Sequence, residues 1–254
     1  MKLSWIFREV FLGKKEIYSF GASECGPLHC SQKLPNEDAW LRLSGSFGLL
    51  AVVCDGMGSK PNAHIGSKIA CLAVKESVQR WSKVSGAPIS YLLHLIEVTW
   101  RLRLHPIEPD TAVTTCLFIL VLKNKIWIVG GLGDGLVLVR TGTDLKVVVG
   151  EREEDFSNQT NGLGISKSTS SWSIMELPPT NKERIAVIAT DGISDDLIPD
   201  QLDGFTQWLI DEFAKLNPYM RWRKLSNELK NWPTPQHLDD KTLAVIHAPV
   251  YRER

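Results

Sequence analysis

The sequence has no surplus of charge of either sign and no long hydrophobic run. Lysine plus arginine and aspartate plus glutamate both total 29 in 254 residues, so the net charge is +0. The overall charge therefore gives no reason to expect nucleic-acid binding. The apolar segment at residues 3–12 is interrupted by charged residues and is too short to span a bilayer or to act as a signal peptide. We expect a protein that binds neither nucleic acid nor membrane and that selects its partner through a local site.

Cysteine is scarce, and the five that are present form no Cys-x-x-Cys pair. Cys54, Cys71 and Cys116 lie in apolar patterns that are typical of a protein core. Cys25 and Cys30 are close enough in sequence for a redox pair or part of a metal site, but two further ligands for such a site are missing. An odd number of cysteines fits a reducing compartment, so we predict a cytoplasmic protein.

No linker-like stretch divides the chain, and we predict a single domain over residues 1–254. Hydrophobic residues make up 43% of the sequence, which is enough for one substantial core. Residues 1–16 form an N-terminal extension, and we expect an amphipathic helix there because four apolar residues share one helical face: Leu3, Phe7, Val10 and Phe11. Residues 17–22 predict a first strand, which a loop through His29 follows.

Several apolar segments rich in β-branched residues are arranged as hairpins. Residues 113–122 and 126–131 are separated by a turn at Lys123 and Asn124, and residues 136–140 continue the meander. The predicted strands are more numerous than a parallel α/β fold requires. The pattern therefore favours an α+β fold with two antiparallel sheets packed face to face.

Other segments have helical periodicity. Asn62 precedes an apolar stripe that continues to Trp81, and residues 89–104 repeat the pattern. We expect these two helices to lie together against one sheet. Residues 202–213 and 219–232 predict further helices on either side of Pro218.

Acidic residues stand at the ends of several apolar strands. The apolar run at residues 49–54 ends in Asp55-Gly56, and a second run at 185–190 ends in Asp191-Gly192. Two acidic pairs directly precede further apolar segments: Glu37-Asp38 and Asp239-Asp240. If the strand ends gather these carboxylates, each like-charged pair at ~4 Å costs about 4 kcal/mol at an effective dielectric near 20. A divalent cation removes this repulsion.

The ligand chemistry narrows the choice of cation. Oxygen ligands without a compact cluster of histidine or cysteine point to Mg²⁺ or Mn²⁺ rather than Zn²⁺. Several carboxylates around one bridging aspartate suggest two ions about 3.5–4 Å apart, an arrangement that binds phosphate oxygens and lowers the pKa of a bound water.

The order of the motifs resembles that of the metal-dependent protein serine/threonine phosphatases of type 2C. The motifs are Asn36-Glu37-Asp38, Asp55-Gly56-Met57-Gly58, Gly133-Asp134-Gly135, Asp191-Gly192-Ile193-Ser194-Asp195 and Asp239-Asp240-Lys241-Thr242. The resemblance spans roughly residues 17–247. The first motif, with Gly21 and His29 before it, is most similar to the compact bacterial branch of the family. The resemblance implies helices on both outer faces of the two sheets, which makes a four-layer α-β-β-α sandwich with the metal site at one end.

The resemblance also implies roles for individual residues. Asp55 would bridge two Mg²⁺ or Mn²⁺ ions, Asp191 and Asp239 would complete one ion, and Glu37 with the carbonyl of Gly56 would hold the other. Asp38 would orient a water. Asp239 is chosen over Asp240 from its place in the motif, and Asp240 remains the alternative. Some bacterial relatives bind a third ion, for which Asp195 and Asp110 are the matching candidates.

The phosphate contact has two candidates. Many members of the family hold the substrate phosphate with an arginine three residues before Asn36, where this chain has Lys33. A lysine offers one point charge in place of a bidentate fork. The contact therefore falls to Lys33 or to His29, and the sequence does not rank them.

Two further segments are placed by the resemblance. The family turn Gly-Asp-Ser-Arg reads Gly133-Asp134-Gly135-Leu136 here, and we assign Asp134 a structural role. Residues 150–171 are polar, lack an apolar period and occupy the place of the relatives' mobile flap. We expect a flexible loop beside the site that helps to choose substrates.

The function implied is hydrolysis of phosphoserine and phosphothreonine in a phosphorylated protein, with a cognate serine/threonine kinase as the opposing enzyme. Water would attack phosphorus directly, without a covalent phosphoenzyme. Two alternatives stay open. A pseudophosphatase would keep the fold as a phosphoprotein-binding scaffold, and a metal-dependent hydrolase would act on a small phosphoester.

Overall fold

A computed structural model describes residues 10–12, 15–149, 161–166, 168–232 and 238–250. Within these ranges there are eleven strands: β1 (Val10–Leu12), β2 (Lys15–Glu24), β3 (Ala39–Gly45), β4 (Gly48–Cys54), β5 (Cys116–Leu122), β6 (Trp127–Leu132), β7 (Leu136–Thr141), β8 (Asp144–Val149), β9 (Ser173–Leu177), β10 (Arg184–Ala189) and β11 (Lys241–Ala248). The helices of the same ranges are α1 (Pro27–Gln32), α2 (Ala63–Trp81), α3 (Ile89–Leu104), α4 (Asp191–Ser194), α5 (Leu202–Phe213) and α6 (Pro218–Lys230).

The strands form two antiparallel sheets. One has the order β1-β2-β11-β10-β7-β8, and the other has the order β3-β4-β5-β6-β9. The predicted hairpin of β5 and β6 is present, and Lys125 adopts a left-handed φ of 66° in its turn. The predicted continuation of the meander is wrong, because β7 does not pair with β6: the chain crosses to the other sheet, where β7 pairs with β10 and β8. The two sheets pack face to face, as the strand pattern predicts.

The apolar run before Asp55 is continuous because β4 is buried on both faces. Leu49, Ala51 and Val53 point into the layer between the two sheets. Leu50, Val52 and Cys54 point to the opposite face, where they pack against α2 and α3. A strand with two buried faces has no position for a polar residue until it ends. Asp55 is therefore the first acidic residue after the strand.

Helices cover both outer faces. The helices α2 and α3 lie together on the five-stranded sheet, and α3 has the predicted bounds. The helices α5 and α6 pack on the six-stranded sheet through Leu209, Phe213, Leu225 and Leu229. The four-layer α-β-β-α sandwich is confirmed.

Two predictions near the N-terminus are wrong. Val10–Leu12 is an edge strand paired with β2, not the end of an amphipathic helix. Leu3 and Phe7 lie outside the described residues. The segment predicted as a loop through His29 contains α1, which begins at Pro27. Proline suits the first position of a helix because its φ is already helical, but a six-residue helix depends on tertiary contacts for its stability.

Other features follow the sequence with small changes. Asn62 stands before α2, but its side-chain amide donates to the hydroxyl of Thr111 (3.0 Å) and does not cap the helix. Cys54, Cys71 and Cys116 are buried in the core beneath α2 and α3. None of the helices in the described part of the chain has the length and apolar character needed to cross a bilayer.

The region predicted as a flap is described only in part. Residues 150–160 and 167 lie outside the described ranges. Leu163 is buried and exchanges backbone hydrogen bonds with Thr114 (2.9 and 3.3 Å). The C-terminal part of the segment is therefore attached to the chain directly before β5.

Candidate metal centre

Five carboxylates line one cavity of about 450 Å³ at an end of the sandwich: Glu37, Asp55, Asp134, Asp191 and Asp239. The cavity lies where β4, β6, β10 and β11 begin or end. Asp55 follows β4 of the five-stranded sheet, whereas Asp191 and Asp239 belong to the ends of β10 and β11 in the six-stranded sheet. The site therefore joins the two sheets.

The backbone of Asp55 is held from both sides. Its N–H donates to the hydroxyl of Thr115 (2.9 Å), and its carbonyl accepts hydrogen bonds from the Thr114 hydroxyl (2.7 Å) and the Thr115 N–H (2.8 Å). These contacts use the polar backbone groups of Asp55 and leave its carboxylate directed at the cavity that it lines.

Glycine is required at position 56 by close backbone approach. A Cβ atom there would lie 2.6 Å from the carbonyl oxygen of Ala63 and 2.9 Å from that of Glu37. The Gly56 N–H donates to the same Glu37 carbonyl (3.2 Å). The Asp55-Gly56 turn and the Glu37 segment are thus brought together by a contact that any side chain at position 56 would prevent.

Asp191 carries an unsatisfied buried oxygen. It begins α4, and its Oδ1 is buried without a hydrogen-bond partner among the described residues. Leaving a buried acceptor unpaired costs about 1–3 kcal/mol, and more when the group is charged. A divalent cation in the cavity would satisfy this oxygen, so the residues present fit the Mg²⁺ or Mn²⁺ site that the sequence predicts.

Burial and like charge act together on the carboxylates. Burial raises the pKa of Asp55 well above its usual range, and the charges of Asp38 and Asp191 raise it further. Burial also raises the pKa of Asp191; a hydrogen bond with Asp55 lowers it, while the charges of Asp134, Asp239 and Asp195 raise it. Without a cation Asp55 and Asp191 therefore hold their protons to a higher pH than free aspartates do, as expected for acids that are held together.

Asp38 lies behind the cavity and does not line it. It is almost fully buried, and its Oδ2 accepts a hydrogen bond from the Thr190 hydroxyl (2.8 Å). Burial raises its pKa to about 8, although hydrogen bonds from Thr242 and Thr190 oppose the shift. Its predicted role in orienting a water stays a prediction.

The structure separates the two acids of the last motif. Asp239 is exposed and lines the cavity, whereas Asp240 is buried and its oxygens accept hydrogen bonds from the backbone of Gly26 and Glu37. This geometry favours Asp239 as the cation ligand. Asp240, the alternative in the sequence, is engaged by protein donors.

The structure also distinguishes the two candidates for the phosphate contact, since only one of them lines the cavity. His29 lines the cavity, and burial lowers its pKa while the hydrogen bond and charge of Asp240 raise it to a value above the usual one. Lys33 is exposed, has a left-handed φ of 57° after α1 and is not part of the cavity lining. The structure therefore brings His29, but not Lys33, to the carboxylates.

The residues predicted for a third ion are not part of the cavity lining. Asp110 is exposed in a short 3₁₀ turn, Pro109–Thr111, and Asp195 is exposed after α4. Asp134, to which the sequence assigned a structural role, does line the cavity. Its neighbours Gly133 and Gly135 have φ values of 96° and 102°, so the turn after β6 requires glycine on both sides of the acid. The sequence signal that could have identified Asp134 as a lining residue is the Asp-Gly pair that follows the strand.

Thr114, Thr115 and Asn161 were missed. All three line the cavity, and the two threonines hold Asp55. Nothing in the sequence marks them, because a threonine at the start of a strand fits an ordinary β pattern.

The raised pKa values predict how stability changes with pH when no divalent cation is present. Between the usual aspartate pKa of 3.8 and the value of about 8 for Asp38, the folded protein binds more protons than the unfolded chain. The contribution of these groups to the free energy of unfolding therefore falls as pH rises through this window. Urea unfolding in EDTA at several pH values should show the fall, and saturating Mn²⁺ should reduce it. A stability in EDTA that rises from pH 4 to pH 8 would contradict the prediction.

Substitution of the central acid should separate stability from metal binding. Asp55→Asn removes an acid whose ionised form is disfavoured by burial and by the charges of Asp38 and Asp191, so we expect the metal-free variant to be at least as stable as wild type at neutral pH and clearly more stable at alkaline pH. Mn²⁺ should bind the variant much more weakly in calorimetry. Asp200→Asn is the matched control, since Asp200 is exposed and does not line the cavity. Equal Mn²⁺ affinity in both variants would show that Asp55 is not a ligand.

The sequence of this chain matches the profile of a known protein family. The sequence profile described as Protein phosphatase 2C matches residues 25–232. Comparison with curated protein sequences gave no match.

Solved structures share the fold at low sequence identity. A bacterial serine phosphatase is 16% identical over 94% of this chain and 100% of its own, with a TM-score of 0.66. The phosphatase MsPP from Mycobacterium smegmatis, in complex with cacodylate, is 16% identical over 92% and 98% of the two chains, with a TM-score of 0.60. RsbX in complex with magnesium is 15% identical over 93% and 96%, with a TM-score of 0.56. The family profile matches most of the length of this chain, and the chain therefore belongs to the protein phosphatase 2C family.

Proposed function

We propose that this protein is a metal-dependent phosphatase that hydrolyses phosphoserine and phosphothreonine in a protein substrate. The observation that carries the proposal is the cavity in which Asp55, Asp191 and Asp239 converge and in which Asp191 Oδ1 has no partner among the described residues. Converging carboxylates with an unpartnered oxygen support a cation site. A cation site in a member of a phosphatase family favours catalysis over a purely structural role.

Asp55 would contact two Mg²⁺ or Mn²⁺ ions, with Asp191 and Asp239 on one and Glu37 with the Gly56 carbonyl on the other. Bound ions would supply a water of lowered pKa and neutralise charge on the phosphate oxygens. RsbX, which has the same fold, is known in complex with magnesium. Asp134 is the candidate for any third ion, because it lines the cavity and Asp110 and Asp195 do not.

The side chains around the cavity favour direct attack by water. The hydroxyl of Thr114 donates to the Asp55 carbonyl, and that of Thr115 accepts from the Asp55 N–H. Both hydroxyls are therefore committed to holding the backbone. Neither serine nor cysteine lines the cavity in the described part of the chain. The lining therefore offers no free hydroxyl or thiol for a covalent phosphoenzyme, and its carboxylates are assigned to the cations.

The shape and charge of the site support the proposed substrate class. The cavity is open at an end of the sandwich, and its acidic lining repels a phosphate unless cations are bound. We propose a phosphorylated protein as the partner, with a cognate serine/threonine kinase. All five cysteines are free thiols, which suits the cytoplasm.

Turnover should depend on divalent cations. We expect the purified protein to dephosphorylate phosphoserine and phosphothreonine peptides, to lose this activity in EDTA, and to recover it in Mn²⁺ or Mg²⁺. Asp55→Asn should lower the rate at least about a hundredfold, because even groups that only support a metal ligand are worth 10–100-fold. Phosphotyrosine peptides should be poorer substrates. Calorimetry that shows Mn²⁺ binding at an Asp55-dependent site, without turnover of any phosphopeptide, would favour the pseudophosphatase. Turnover of small phosphoesters alone would favour the small-molecule hydrolase.

The phosphate contact can be assigned by comparing two substitutions. His29 lines the cavity and Lys33 does not, so His29→Ala should raise KM for a phosphopeptide more than Lys33→Ala does. The effect should fall mainly on KM if the contact is made equally in the ground state and the transition state. A larger rise in KM for Lys33→Ala than for His29→Ala would assign the phosphate contact to Lys33.

A further inference from the structure

The buried side chain of Asp240 joins segments that are far apart in sequence. Its Oδ1 accepts a hydrogen bond from the Gly26 N–H (2.7 Å), and its Oδ2 accepts one from the Glu37 N–H (2.7 Å) and lies 2.8 Å from His29 Nδ1. Asp240 is only 2% exposed. The two oxygens therefore collect three nitrogen contacts, two from the backbone and one from an imidazole.

The helix that these contacts hold has little other support. No residue of α1 is buried, and Leu28 is 43% exposed. Apolar burial therefore contributes little to the position of α1. Its backbone is anchored by the hydrogen bond from the Leu28 N–H to the Leu238 carbonyl (3.1 Å) and, through Gly26 and His29, by Asp240.

This helix also forms a wall of the cavity. Leu28, His29 and Gln32 all line it. The backbone at Gly26 lies so close to the last motif that a Cβ atom there would be 2.3 Å from the carbonyl of Asp239. The segment before α1 is thus pressed against the same turn that carries a candidate ligand.

Asp240 also decides how His29 presents its ring. Because Nδ1 faces Asp240, Nε2 is the nitrogen that remains for another partner. A carboxylate at one ring nitrogen fixes both the tautomer and the orientation of an imidazole. An asparagine could not replace Asp240 in this role, because it has one acceptor oxygen and its amide group would face a donor.

We propose that Asp240 is a positioning residue, which holds α1 against the cavity and orients the His29 ring so that Nε2, protonated in the imidazolium, can donate to an oxygen of the substrate phosphate. The proposal rests on the phosphatase function proposed above. It assigns Asp240 to the substrate side of the site and leaves cation binding to Asp239.

The kinetic test compares Asp240→Asn with Asp200→Asn, the same change at an exposed acid, in the full chain with Mn²⁺ and a phosphoserine peptide. We expect Asp240→Asn to raise KM about ten- to a hundredfold, the range for loss of a hydrogen bond to a charged group, with a smaller change in kcat. In the His29→Ala background the same substitution should raise KM much less, because coupled residues are not additive. An equal rise in both backgrounds would overturn the positioning role.

An independent readout does not need turnover. Two-bond ¹H–¹⁵N spectra of the imidazoles, recorded above the pKa of the ring, should show the His29 proton on Nδ1 in the wild type and its redistribution in Asp240→Asn. If wild type turns over no phosphopeptide, the proposed function fails, but these spectra still decide the positioning. If Asp240→Asn does not fold, the wild-type spectrum alone is decisive. A wild-type His29 proton on Nε2 would overturn the proposal.

Calorimetry separates positioning from ligation. Mn²⁺ affinity should change little in Asp240→Asn and should fall strongly in Asp239→Asn. Equal losses in the two variants would make Asp240 a cation ligand and overturn the proposal.

Discussion

The candidate site depends on holding several carboxyl groups close together at one end of the sandwich. Asp55 and Asp191 converge with Asp239 although burial and neighbouring negative charge disfavour the ionised forms of Asp55 and Asp191. Such a cluster persists only on a rigid frame. Here the frame is a pair of sheets whose strands are apolar almost to the residue before each acid. The hydrophobic energy of the sandwich offsets the electrostatic cost of the site, and bound cations would remove much of that cost.

The two sides of the cavity are built by different physical means. On the side of the carboxylates, Asp55 and Asp191 follow β4 and β10, whose side chains are fully buried. The layer between the sheets therefore sets the separation of these acids, since each comes from a different sheet. On the other side, α1 buries no residue and depends on hydrogen bonds to Asp240 and Leu238. Changes on the surface of α1 cost little core energy, so this wall is the part of the cavity that can vary with the least loss of packing.

The comparison with solved structures fits this division. The fold is shared at 15–16% identity with RsbX and the two phosphatases. An apolar pattern and a few acids after strands survive many substitutions, because volume and period decide the core more than particular residues do. Contacts such as that of Asp240 with His29 depend on individual side chains.

The sequence by itself determined the layers, the long helices and the main acids. Residues 89–104 have the apolar period of a helix and form α3. A strand that is buried on both faces leaves the acid at the first position after the strand. Other features were decided by tertiary structure. Asp240 meets Gly26 across 214 residues of chain, so neither α1 nor the position of His29 could be inferred from local pattern. Val10–Leu12 became a strand because β2 offered an unpaired edge, and Asp134 reaches the cavity because its turn opens toward Asp191. Local periodicity reports which face is buried, whereas hydrogen bonds between distant residues exist only once the sheets have packed.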